Sequence, residues 1–196
     1  PKNNSNNSNE SFYSDSKKRI FENSATGEKI EVHYLRYAKY DSRSDTDYYL
    51  SLLEYSSNDD YFILKNKKIT KSENQIRLDI EFADTNSSNI IHQSNILRGR
   101  VLYTISTQYD SIAGEGKFSK TFFESFKPLD TIIGIPLFQS MTDTLFYNYF
   151  SSDSTMSAQA KAGINEIGYH RADLPKLFNA IRNVKKDDDY TETKVK

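Results

Sequence analysis

QIRLDIEF, residues 75–82, alternates polar and apolar side chains without interruption. Ile76, Leu78, Ile80 and Phe82 fall on one side of an extended chain, and Gln75, Arg77, Asp79 and Glu81 on the other. A period of two belongs to a strand with one face on a core and one in water. The pattern recurs in both directions. Upstream, Ile30, Val32, Tyr34, Ala38 and Tyr40 alternate over residues 29–40, with Arg36 the exception on that face, and 48–55 and 61–65 are shorter strand candidates. Downstream, Val101, Tyr103, Ile105, Thr107 and Tyr109 form another period-two set, and 117–126 follows as a further strand. Turn-like segments at 23–28, 56–60 and 111–116 separate the runs. This spacing predicts a mainly β fold of the α+β class, an antiparallel sandwich or open barrel built from consecutive hairpins.

The pattern changes after Pro128. Residues 131–135 read as a buried strand stopped by Pro136, 142–150 fit either a capped helix or a strand, and 155–167 are helical in part. The clearest helix comes last, with Asp173 as N-cap and Pro175 in the first turn, where its missing N–H costs nothing. Leu174, Leu177, Phe178, Ile181 and Val184 then follow the spacing of one apolar stripe, with Lys185 and Lys186 at the negative pole of the helix dipole. The stripe predicts a helix docked on the sheet. Phe178→Ala should therefore be severely destabilising, and Lys176→Ala on the opposite face harmless.

Isoleucine, leucine, valine and phenylalanine form roughly a quarter of the 196 residues, enough for a single core. Residues 1–17 are almost wholly Asn, Ser and charge and read as a flexible tether, 18–186 as one β-rich domain, and 187–196 as a loose charged tail. The 26 basic and 27 acidic residues cancel without a basic stripe, which argues against nucleic acid and against a polybasic membrane surface. There is no cysteine, so disulfides, thiolate metal sites and cysteine nucleophiles are excluded.

No motif assembles a reaction centre. Gly114-Glu115-Gly116-Lys117 lacks both the first glycine and the Ser or Thr of a phosphate-binding loop, and reads as a hairpin turn. His33, His92 and His170 have no partner at metal-ligand spacing, and Asp41, Asp45 and Asp47 lack the glycine and terminal glutamate of a calcium loop. No metal or cofactor is expected. Tyr169, His170 and Asp173 could perform acid–base work, but the commoner role for such an Asp is capping. The tyrosines are more informative: Tyr34, Tyr37, Tyr40, Tyr48, Tyr49, Tyr55 and Tyr61 crowd the first strands, and tyrosine is enriched in interfaces.

These observations converge on an expectation of a non-enzymatic, extracytoplasmic domain (periplasmic or at the cell surface). It would be tethered at its N-terminus by an upstream lipid anchor or span and would bind a protein or surface polymer through its tyrosines. The alternatives are a lipocalin-like carrier, with an apolar cavity lined by Tyr103, Phe122, Phe126 and Ile132, and an enzyme using His170 with a carboxylate.

Overall fold

The structure is a computed structural model that describes residues 13–43, 45–55, 61–129 and 131–182. Six strands, β1 (Tyr13–Glu22), β2 (Lys29–Tyr37), β3 (Phe62–Ser72), β4 (Gln75–Asp84), β5 (Asn89–Arg98) and β6 (Val101–Asp110), form one antiparallel sheet in the order β1-β2-β6-β5-β4-β3. Five α-helices accompany it: α1 (Thr46–Tyr55), α2 (Lys117–Ser125), α3 (Thr142–Tyr149), α4 (Ser154–Ala162) and α5 (Leu174–Arg182). The mainly β, α+β architecture with C-terminal helices is the expected one. The strands lie in a single open sheet whose outer members are β1 and β3.

Both faces of the sheet bury apolar side chains. On one, Ile30, Ile96 and Ile105 pack with Phe123 of α2, flanked by Phe118, Phe122 and Phe126. On the other, Leu78, Ile80 and Phe82 meet Leu50 of α1, and Leu35, Tyr37, Leu97 and Leu102 meet Tyr49 and Leu137. A separate core at the C-terminal end joins Tyr40 to Met141, Leu145, Tyr149, Ala160, Ile164 and Ile167. The alternation of 75–82 did its work here: Leu78, Ile80 and Phe82 are fully buried.

Arg100, in the tight turn between β5 and β6, ties the sheet to the helical end. Its guanidinium donates to the carbonyls of Ala38 at 3.1 Å and Ile135 at 3.2 Å, and to that of Asp41. Gly99 opens this turn at φ +60, where a Cβ would come within 2.9 Å of Ile132 Cγ2 and 3.0 Å of the Ile133 carbonyl. The segment that follows α2 closes on the same turn, with Arg100 N–H donating to Ile133 O and Leu137 N–H to Gly99 O. Residues 131–135 are therefore an irregular strap and not the expected buried strand; Gly134 at φ +70 breaks any extended run.

Several local expectations are corrected. Residues 48–55 form most of α1, because Tyr49, Leu50 and Leu53 recur at helical spacing against the sheet. Residues 117–125 form α2 for the same reason, with Phe118, Phe122 and Phe123 turned to the sheet and Phe126 just after its end. The 61–65 strand is longer than expected and runs to Ser72. Strand β1 begins at Tyr13, inside the expected tether, and pairs with β2. The rest of that tether, Val184 and the 187–196 tail lie outside the described residues. Asp173, immediately before α5, closes a short 3-10 turn, Arg171–Asp173, and its carboxylate caps the His170 amide at the start of that turn. The stripe on α5 is the largest correction: Leu174, Phe178 and Ile181 are exposed, and the buried member of the helix is Ala180.

Candidate interaction face

The seven tyrosines do not form one surface. Tyr37 and Tyr49 are buried beside each other, with hydroxyls hydrogen-bonded at 2.7 Å and rings edge to face. Burial first, and Tyr37 second, push the Tyr49 phenol well above its ordinary range. Tyr40 is buried in the helical core and accepts a hydrogen bond from Asn148 Nδ2 at 2.8 Å. Tyr34 lies half-buried against Tyr103. Tyr37, Tyr40 and Tyr49 are packing residues, because a phenol whose hydroxyl finds a partner can fill a core as phenylalanine does, and Tyr34 packs through its ring. The side chain of Tyr55 lies outside the described residues. Tyr48 and Tyr61 remain, at 64% and 63% exposure.

Those two lie toward opposite ends of the α1–β3 margin. Tyr61 immediately precedes β3, and Tyr48 is in the first turn of α1, whose Asp47 reaches Lys71 of β3 at 3.6 Å. Other outward apolar side chains join them: Leu52 on α1, one turn from Tyr48, and Ile63, Leu64 and Ile69 on β3. Leu64 and Ile69 stand opposite Phe82 and Leu78 on β4, so they extend the apolar face that α1 covers. Phe62 is half-buried and every later residue of β3 is exposed. The sequence reading missed this strand's role. Its signal was FILKNKKITKS itself, which carries four lysines and no acid and lacks the clean alternation of a half-buried strand.

Other candidates resolve into structural roles. Asp173 is buried and accepts from Ser140 Oγ at 3.1 Å and His170 N–H at 2.9 Å. Burial alone would raise its pKa, but the His170 amide, Thr142, Ser140 and Lys176 together hold it below the usual value. Its carboxylate meets the His170 backbone amide while the His170 side chain accepts from the Asp173 backbone N–H, so the two side chains cap each other's backbone and do not meet directly. Tyr169, raised to about 12 by burial, points its hydroxyl at the Ile164 carbonyl. The geometry brings no base to a cleft there.

Asp41 is fully buried and paired with Arg43 at 3.0 Å, Asp45 accepts from the Asp47 and Tyr48 amides at the start of α1, and Asp47 faces water. The three aspartates therefore share no ligand. Among the described residues no group of three His, Asp or Glu side chains could hold a metal ion. The 114–117 loop leads into α2 instead of turning a hairpin. Its Glu115 pairs with His92 at 3.0 Å while the imidazole stacks on Phe123, which fastens the loop to the sheet. His33 hydrogen-bonds Ser16 on β1. Phe122 and Phe126 stack on each other and Phe126 meets Tyr103 edge to face, whereas Ile132 lies beside Gly99, so the four residues named for a carrier cavity do not line one space.

A groove of about 640 Å³ lies between α3 and α5, lined by Asp143, Phe146, Tyr147, Phe150, Lys176 and Ala180 among others. Lys176 spans it to Asp143 at 2.7 Å. Its apolar rim lacks an unpaired backbone edge, which distinguishes it from the β3 margin.

No family model matches the chain, and no curated protein matches its sequence. Among solved structures, a Pseudomonas aeruginosa protein of unknown function aligns at 16% identity with a TM-score of 0.45, over 61% of this chain and 88% of its own. That likeness contributes nothing to the reading of the site. No helix among the described residues is long and apolar enough to cross a membrane.

Proposed function

We propose that this chain is a non-enzymatic protein-binding domain that engages its partner through the α1–β3 margin. The observation that carries the reading is an edge strand with outward apolar side chains along its length, Tyr61 and Ile63 at its start and Leu64 and Ile69 on the face that α1 covers, with Tyr48 and Leu52 exposed on α1. An unpaired strand edge that carries outward apolar side chains is a template for pairing with another chain. A protein fits this margin better than a surface polymer, because an edge strand offers amide groups spaced to match another peptide backbone.

The location we propose is extracytoplasmic, with the domain held by its N-terminal segment. Support comes from the Asn/Ser-rich composition of residues 1–12, suited to a spacer. Protease added to intact cells making the full-length protein should degrade it; complete protection would end that part of the reading.

A photo-crosslinking residue placed at Tyr61 or Leu52 tests the binding face. It should give a discrete adduct, and the same residue at Ile112, the most exposed large apolar position, should give none. Equal adducts at the two places, or none at either, would remove the margin as the binding face.

A further inference from the structure

We infer that the partner binds as an added strand, an extended acidic segment paired along the outer edge of β3. This inference rests on the α1–β3 margin being the binding face and specifies what it accepts. Strand β3 is the last in the sheet, so among the described residues no strand pairs with its outer edge. Alternate residues of an eleven-residue strand therefore turn N–H and C=O groups outward, a template for another backbone.

The charge of the edge selects what can use it. Lys65, Lys67, Lys68 and Lys71 are exposed on β3, which has no acidic residue. Lys68 stands opposite Asp79, and Lys71 meets Asp47, an aspartate that is itself 92% exposed at the side chain. A second copy is a poor occupant: pairing β3 with β3 would place lysine rows against each other, and like charges directly opposite are destabilising. The opposite edge, β1, offers Lys17, Lys18 and Arg19 against Asp15 and Glu22 and is also net basic. Lysines on an edge repel like edges and attract unlike ones. Lys67 and Lys71 share the face of Leu64 and Ile69, and Lys68 lies on the other, so carboxylates of an added strand would meet lysines on either face and its apolar residues would pack between them on Leu64 and Ile69 beside α1.

The test uses the whole chain with two fluorescent ten-residue probes, one alternating valine with glutamate and the other valine with lysine. The glutamate probe should bind saturably and at least about tenfold more tightly at low salt, the advantage falling as salt rises. Amide hydrogen exchange of β3 should slow in its presence, with that of β1 unchanged. Neutralising the four lysines, K65Q/K67Q/K68Q/K71Q, should remove the preference with the sheet retained by circular dichroism, and Lys68→Gln alone should weaken it part-way.

Equal binding of the probes, or no slowing at β3 with glutamate probe at millimolar concentration, overturns strand addition. If adducts at Tyr61 persist in that case, the margin binds by another geometry; if they too are lost, both readings fall.

Discussion

Helices α1 and α5 are both amphipathic, and they are held to the molecule by different forces. Helix α1 buries Tyr49 and Leu50 against the sheet and leaves Tyr48 and Leu52 in water. Helix α5 has the more regular apolar stripe in sequence, yet shows Leu174, Phe178 and Ile181 to solvent and buries Ala180. What fastens its start is polar: Asp173 accepts from Ser140 and His170, and Lys176 reaches Asp143 at 2.7 Å. An apolar stripe thus states that a helix has two faces; it does not state which face the fold covers.

The sharpest way to break this comparison is to truncate the anchor of α1. Leu50→Ala should cost about 2–5 kcal/mol, the range for emptying a close-packed leucine site, measured as a fall in the urea midpoint. A change below about 0.5 kcal/mol, typical of open surface, would mean that α1 is not docked on β4.

Tyr37→Phe should come next. It removes the partner of the buried Tyr49 hydroxyl while keeping the ring, and orphaning such a group costs about 1–3 kcal/mol. An unchanged midpoint would show that the Tyr49 hydroxyl has found water.

The polar attachment of α5 should instead respond to pH. The carboxyl of Asp173 lies below its usual value in the folded chain, so its stabilisation is full above the unfolded pKa of about 3.9. It is lost as pH falls through the lower folded value. Asp173→Asn should therefore be less stable than the parent near neutrality, and the gap should close on acidification. A gap that stays constant from pH 7 to about 2 would assign the effect to shape, not charge.

Phe178→Ala should have the smallest effect, under about 0.5 kcal/mol, because the ring is 61% exposed. Lys176→Ala, which breaks the Asp143 contact, should cost at least as much. This reverses the order expected from the stripe alone, and a severe loss from Phe178→Ala would restore that order.

How much of this was legible varies with the range of the interactions involved. Strand β4 was readable because alternation over eight residues is local and both its neighbours are strands. Helix α2 was misread because FSKTFFESF offers aromatics at positions compatible with either period, and only the sheet face at Ile30, Ile96 and Ile105 selects the helical one. The tyrosine surface was misread for a related reason. Tyr37 and Tyr49 are twelve residues apart, and their pairing across β2 and α1 exists only once the sheet is assembled. The β3 edge left a trace, four lysines without an acid, whose meaning depends on the strand being last in the sheet.

The sequence by itself determined the class: enough apolar residues for one core, period-two runs for an antiparallel sheet, turn segments between them, and no cysteine or assembled catalytic motif. Those properties come from composition and from contacts between near neighbours, which any folded form must respect. Tertiary structure decided the strand order, the burial of Tyr37, Tyr40 and Tyr49, the outward turn of the α5 stripe, and the exposure of β3 on both faces. Burial and edge position depend on what a distant segment covers, and apolar transfer rewards covering without naming the residue that is covered.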